Sequence, residues 1–388
     1  MNFLIVFACL LLLAVLLSAL AERSVLSAAV LFLLGGVLSG KDLLGFIRLH
    51  PDEPAVSLLA ELALVSVLFT EGLHVRAGDL LRAWRLPGRA LLFGMPLTLL
   101  GIALLARWLL GMEWPTALLI AAVLSPTDPV FAAAIMGRQE IPFGVRHLLN
   151  IESGINDGLA LPAVMLLLDW TSHVDTSAAT MAAKLLGGIA IGAGIAGAAA
   201  LLERSRLFAA AGLHRPLFSF AVGLLVLALN WITGANAYLG AFTAGMTLGN
   251  LHPQISHDFD DLGGQVAELL KLAAILAFGA LLSPRMLAET PPAGYLFVLL
   301  VLVLVRPVAL GLALAGSGLD WRERLVAAWF GPKGFASVVY GILVLKSSVP
   351  DAQYAFDLIA LTIAGSMIAH SSTDVLVARW FARSPDAA

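Results

Sequence analysis

Apolar residues run along this chain in long stretches, with polar residues gathered in short clusters between them. Read for runs near the roughly 20 residues that cross a bilayer as a helix, the pattern predicts about thirteen spans: 3–21, 24–40, 55–71, 88–111, 114–136, 147–168, 180–202, 216–232, 234–250, 264–283, 294–315, 324–345 and 354–380. Connections are short and leave no room for a soluble domain between spans. The first run ends in "ALA" before Glu22, as a cleaved leader does. It lacks a basic start and is long for a leader's apolar part, so it reads as span one. A short tail ending in "ARSPDAA" follows span thirteen, so control through a folded tail is not expected.

Composition agrees: 60% of the 388 residues are hydrophobic and 13% charged, the make-up of an all-α polytopic membrane protein. The net charge of −3 says little, and a single cysteine, Cys9, forms no intrachain disulfide. Placement of basic residues is more informative. With the N-terminus outside, the inner loops hold Arg23, Arg76, Arg82, Arg85, Arg89, Arg138, Arg146, Arg204, Arg206, Arg215, Arg322, Arg324, Arg379 and Arg383. The outer side holds only Lys41, Arg48, Arg107, Lys184, Arg285 and Lys346, so the positive-inside rule predicts N-out, C-in. The inner loop "NLHPQISHDFDDL" is acidic, either a solvated loop or a vestibule that attracts cations.

Thirteen spans divide as six, a linker and six, and the odd linker inverts the second half relative to the first. Many secondary transporters use such inverted repeats, with the substrate site where corresponding helices are broken. Span five carries "SPTDP", with Pro126, Thr127, Asp128 and Pro129; its counterpart, span twelve, carries Gly331, Pro332, Lys333 and Gly334 in "WFGPKGFAS". Proline has no N–H and disrupts the preceding turn. Each break therefore frees backbone groups that lipid cannot satisfy. Half-helix ends also carry partial charge, so a carboxylate such as Asp128 can neutralise an N-terminus and an ammonium such as Lys333 a C-terminus. The competing reading is a pair of kinks that serve packing alone.

Span six reads "HLLNIESGINDGLALPAVMLLL". Ser153 and Asp157 are four apart, as are Glu152 and Asn156, so the four polar groups share one face. Carboxylates inside a span are costly and mark function. Span eleven holds one charge, Arg306, and pairing it with Glu152 leaves Asp157 without a fixed counter-ion. Such a carboxylate takes either a proton or a metal cation, and competition between them is the essence of exchange. Asp157, Asp128, Ser153, Thr127 and freed carbonyls around Pro126 and Pro129 form an oxygen set suited to sodium, lithium or potassium. The histidines are scattered, with His50, His74, His173, His214, His252 and His257 in loops; His370 in span thirteen reads as structural or as a pH sensor. Glu71 reads as the inner end of span three, and Glu268 and Lys271 as either a mutual pair or the lining of a funnel.

"SPTDPV" with "ESGINDG", the arginine of span eleven and the glycine-rich, basic span twelve resemble the monovalent cation/proton antiporter family 1. This family comprises the bacterial sodium/proton antiporters of NhaP type and their animal sodium/proton exchanger relatives. The resemblance covers nearly the whole chain. It implies the NhaA-like antiporter fold with crossed broken helices and a homodimer. Residues 1–87 and 216–293 would form the dimerisation domain, 88–168 and 294–382 the mobile core, 169–215 a linker helix and 383–388 a short cytoplasmic tail. It implies elevator-like transport at Asp157, with Asp128 and Thr127 at the crossing, Ser153 coordinating, and Asn156, Glu152 and Arg306 framing the site. The Asn156-Asp157 pair implies electroneutral exchange of one cation for one proton. Many relatives have arginine where this chain has Lys333, which leaves open whether Lys333 is structural or titrates.

The expected protein is thus a transporter of the bacterial cytoplasmic membrane and not an enzyme. Its expected partners are monovalent cations, protons and lipid, with no cofactor and no nucleic acid. Two rivals remain: an organic-anion symporter on the same scaffold, and an intramembrane aspartyl protease using Asp128 and Asp157, which would leave the breaks and the Glu152–Arg306 pair unexplained.

Overall fold

A computed structural model describes residues 2–18, 27–76, 78, 85–128, 140–172, 177–205, 214–254, 259 and 263–382. Pro129, with the second half of span five, and the tail 383–388 lie outside the described residues. The helices are α1 Asn2–Leu16, α2 Ala28–Ser39, α3 Pro54–His74, α4 Arg85–Leu109, α5 Trp114–Leu124, α6 Phe143–Thr171, α7 Ala178–Glu203, α8 Arg215–Thr233, α9 Ala237–Leu251, α10 Gln265–Leu281, α11 Pro292–Ala313, α12 Trp321–Trp329, α13 Phe335–Lys346 and α14 Ala352–Ala382. A short turn, Pro284–Glu289, precedes α11. Among the described residues, α3, α4, α6, α7, α11 and α14 are long and apolar enough to cross a membrane, and α1, α2, α5, α8 and α13 are shorter apolar helices.

Local chemistry sets the starts. Proline occupies the first turn of α3, α5, α8 and α11, where its missing N–H costs nothing. Ser27, Ser177 and Asn236 cap α2, α7 and α9 by accepting the amides of Val30, Thr180 and Leu239. Asp320 and Glu323 form a reciprocal capping box on α12.

Two features were not predicted from the sequence. Both α4 and α11 widen into a π turn, at Ala90–Gly94 and Val301–Val305, and the second delivers Arg306 at its end. Several helix pairs also meet through backbone rather than side chains; among them, α3 crosses α9 at Gly72 and Gly245, and α2 crosses α10 at Gly36 and Gly279. At all four glycines a Cβ would strike an opposing carbonyl. Small residues of this kind bring membrane helices together without a hydrophobic driving force.

The centre of the molecule is α5 and α13. Leu119 to Leu124 of α5 are all fully buried, and nearly all of α13 is buried as well. A short helix that is apolar all round belongs in a core. Here α5 is enclosed by α4, α6, α13 and α14, and α13 by α3, α10 and α14.

Because Gly36 and Gly279 meet backbone that cannot yield, Gly36→Ala and Gly279→Ala each lower stability by about 1–3 kcal/mol. Gly194→Ala in α7, where nothing lies within 4 Å of the new methyl, is neutral or stabilising by about 0.5–1 kcal/mol. Thermal unfolding of the three detergent-solubilised variants checks the contrast.

Candidate functional site

Helix α5 stops where Pro126 offers no amide to the Ala122 carbonyl, and the Ser125 hydroxyl donates to that carbonyl instead, at 3.2 Å. Residues 126–128 leave the helix and carry no regular secondary structure, as do residues 330–334 around Pro332 between α12 and α13. The two breaks are bonded to each other. The Asp128 amide donates to the Pro332 carbonyl at 3.0 Å, and the Phe335 amide donates to Asp128 Oδ2 at 2.7 Å. Lys333 Nζ reaches the Ser125 carbonyl at 3.5 Å, and Ser337 Oγ donates to the Val123 carbonyl at 2.7 Å. A carboxylate therefore sits on the N-terminus of α13 and an ammonium at the C-terminus of α5, each opposite in sign to the partial charge it meets. Glycine is required at two points: a Cβ on Gly331 would run into the Arg306 side chain, and one on Gly334 into Asp128.

Helix α6 lies against this crossing. Ser153 Oγ is 3.1 Å from Thr127 Oγ1, and Asn156 Nδ2 donates to the same hydroxyl at 2.7 Å, while Asn156 Oδ1 is buried with no partner among the described residues. Arg306 holds Glu152 through two bonds of 2.9 and 3.1 Å and also reaches the Phe330 carbonyl at 3.4 Å, fastening α11 to both α6 and the second break. Asp157 is 3% exposed. Its backbone carbonyl accepts from Tyr340 Oη at 3.3 Å. Its carboxylate makes no hydrogen bond or ion pair among the described residues; Asp128, Lys333 and Glu71 are charged groups near enough to act on it. The structure thus gathers Thr127, Asp128, Glu152, Ser153, Asn156, Asp157, Arg306 and Lys333, all 5% exposed or less, around the two breaks.

A cavity of about 430 Å³ reaches this cluster at Asp128, the one of its eight residues that lines the cavity. Glu71 of α3 and Glu268 and Lys271 of α10 line one wall; His147 and Gly154 of α6 with Asp128 line the other. Glu268 and Lys271 are ion-paired as well, so the two roles left open for them coincide. Glu71 is the residue that sequence reasoning left without a role. It lines the cavity, and its Oε2 is buried without a hydrogen-bond partner among the described residues. The available signal was a carboxylate one turn before the end of an apolar helix, which does not say which way it faces. His252, expected to serve only a surface loop, closes α9 and pairs with Glu203 at 2.9 Å. Among the described residues no group of three or more His, Cys, Asp or Glu side chains is placed to hold a metal ion.

Residues 9–380 match the family described as sodium/hydrogen exchanger, transmembrane. A K(+)/H(+) antiporter NhaP2 from Shewanella baltica is 25% identical over 384 residues, covering 97% of this chain and 66% of that protein. A Na(+)/H(+) antiporter ApNhaP from Aphanothece halophytica is 24% identical over 323 residues, covering 78% of this chain and 60% of that protein. The chain spans about two thirds or less of the length of these curated relatives. In fold it is similar to the sodium proton antiporter MjNhaP1 of Methanocaldococcus jannaschii, with a TM-score of 0.78 and 20% identity over 98% of this chain and 97% of that one.

The buried Glu152–Arg306 pair generates a stability prediction. Arg306→Met strands a carboxylate and costs about 3–5 kcal/mol, whereas Glu152→Leu with Arg306→Met recovers most of that loss. Thermal unfolding of the single and double variants measures it.

Proposed function

We propose that this chain, which belongs to the sodium/hydrogen exchanger transmembrane family, exchanges a monovalent cation for a proton across the membrane, with Asp157 as the shared site. The observation that carries this reading is a carboxylate 3% exposed with no hydrogen bond or ion pair among the described residues. A bare anion in that position is too costly to persist. Asp157 is therefore occupied by a proton or by a cation and never by both, which couples the two fluxes. Thr127, Ser153, Asp128 and the unpartnered Oδ1 of Asn156 supply the further oxygens a hard cation needs.

One exchangeable carboxylate on the core gives one cation per proton and no net charge moved. Glu152 is committed to Arg306. Glu71 belongs to the opposite wall of the cavity, so it screens the entry and does not travel with Asp157. The cavity runs between α3 and α10 on one side and α6 with the first break on the other, as a core sliding against a fixed dimerisation domain requires. Its mouth lies at the C-terminus of α3 and the N-termini of α6 and α10. In the N-out orientation this is the cytoplasmic side of a bacterial inner membrane, so the conformation is open inward.

The reading of about thirteen spans in two inverted halves is supported by features that recur at corresponding places. Each half has a broken helix, a π turn in its fourth helix, and a glycine crossing that pairs its second or third helix with the other half. Helix α1 has no buried residue, as a helix facing lipid or a second protomer in a homodimer requires. Transported ions of the Na+, K+ or Li+ class need no resident cofactor. An organic anion is disfavoured because the carboxylates Glu71, Asp128 and Glu268 in the cavity wall outnumber the bases Arg76 and Lys271.

In proteoliposomes holding a pH dye, with no imposed voltage, pulses of sodium, lithium or potassium drive proton movement through the wild type. In Asp157→Asn this falls to the level of empty vesicles. An imposed potential leaves the wild-type rate unchanged if exchange is one for one. Absence of flux with all three ions, in protein shown to be folded, sinks the antiport reading.

A further inference from the structure

Span twelve is interrupted at Pro332, whose missing amide removes the bond to the Ala328 carbonyl, and the non-helical residues after Trp329 lose further bonds, among them the one from the Lys333 amide to the Trp329 carbonyl, four residues back. In the structure those two groups are joined by another route, through α14. The Lys333 amide donates to Ser366 Oγ at 2.7 Å. Ser366 Oγ lies 3.1 Å from His370 Nδ1, and His370 Nε2 lies 2.9 Å from the Trp329 carbonyl. That carbonyl only accepts, so Nε2 carries a hydrogen. In the neutral ring Nδ1 accepts from the Ser366 hydroxyl. In the protonated ring Nδ1 donates to the Ser366 carbonyl, 2.7 Å away. Either form ties Ser366 to Trp329. The Gly331 amide also reaches the Trp329 carbonyl, at 2.9 Å, which uses its second lone pair. Ser366 is fully buried and His370 is 3% exposed, and the Trp329 and His370 rings lie 5.3 Å apart.

The same arrangement occurs at the other break. Ser153 of α6 bonds Thr127 in the break of span five, and Asp157 follows it four residues later. Ser366 of α14 bonds Lys333 in the break of span twelve, and His370 follows it four residues later. Each half thus uses a serine of its last helix to hold its own break. The residue one turn further on is the unpaired carboxylate in one half and a hydrogen-bonded imidazole in the other.

We propose that His370, acting through Ser366, is a positioning residue that replaces the lost helical bond from Lys333 to Trp329 across the second break and thereby holds Lys333 against the end of α5. This rests on the exchange reading above. The consequence follows from geometry. Lys333 contacts the Ser125 carbonyl, two residues before Thr127 and three before Asp128. Loosening the break therefore displaces the oxygens that receive the cation before it affects how the core moves. His370 touches neither cation nor proton in transit.

The test compares His370→Leu, His370→Gln and Ser366→Ala with wild type, each as full chain in proteoliposomes. Cation-driven proton flux and backbone hydrogen exchange over residues 330–335 are both measured. His370→Leu and Ser366→Ala raise the half-saturating cation concentration about tenfold, the scale of one buried hydrogen bond, with the saturated rate within about twofold. Both also accelerate exchange of the Lys333 amide. Glutamine can donate to Trp329 and accept from Ser366 through one amide, so His370→Gln stays within about twofold of wild type in both measurements. Unchanged half-saturation and unchanged amide exchange in His370→Leu overturn the proposal. So does equal impairment of the leucine and glutamine variants, which would mean ring volume matters and the hydrogen bonds do not. If His370→Leu does not fold, Ser366→Ala carries the same comparison. Wild-type protein that moves no protons counts against the antiport reading, while the amide-exchange measurement still decides the brace.

Discussion

Two helices stop inside the apolar core, where lipid cannot receive their ends, and each break must find partners for its freed backbone groups within the protein. The structure meets this constraint by making the breaks satisfy each other. The Asp128 amide meets the Pro332 carbonyl, the Asp128 carboxylate meets the Phe335 amide, and Lys333 meets the Ser125 carbonyl. What those contacts leave over goes to α6 through Thr127 and to α14 through Ser366 and His370. Most of the molecule's other polar placement follows from this. Gly331 and Gly334 are small because Arg306 and Asp128 must come close, and α5 and α13 are apolar all round because the crossing draws them to the centre.

Within that frame the charges divide into those that are used up and one that is not. Glu152 and Arg306 neutralise each other, and a buried pair of this kind contributes little net stability while fixing the elements that carry it. Asp128 and Lys333 are matched to helix ends. Asp157 alone in this group has a carboxylate with no hydrogen bond or ion pair among the described residues, although Ser153 and Asn156 of the same helix both bond to Thr127 in the first break. An unmatched carboxylate beside a network of matched charges is a place for a mobile charge, and the unpartnered Oδ1 of Asn156 offers that charge a further oxygen.

Much of this was legible in the sequence, for physical reasons that differ by residue. The helices are announced by apolar length, the breaks by Pro126 and Pro332, and the Glu152–Arg306 pair by the presence of one basic residue in span eleven. The π turns at Ala90–Gly94 and Val301–Val305 were not legible, because a single extra residue per turn is decided by what packs across the helix and leaves no mark in an all-apolar run. Glu71 illustrates a second limit. Its place near the end of α3 could be read, but its direction depends on the angle between α3 and α10, which hydrophobic pattern leaves open. The bond from Asn156 to Thr127 and the bridge from Ser366 to Trp329 are of a third kind: both join spans that the sequence separates, and only the crossing of the breaks brings them together.

The same stitching bears on how such a core can move. The bonds between the breaks run between α5 and α13, and the bonds holding them run to α6, α11 and α14. Opening the site by unwinding either break would expose several backbone groups at once in an apolar surrounding, each at a cost of about 1–3 kcal/mol. Sliding the whole group past α3 and α10 exposes none of them, because the cavity already separates those walls over part of their length. Packed interfaces switch between discrete arrangements more readily than they deform. In the proposed elevator movement the core would then travel as one body, and the two breaks that look like points of weakness are, through their mutual bonds, what would hold it together.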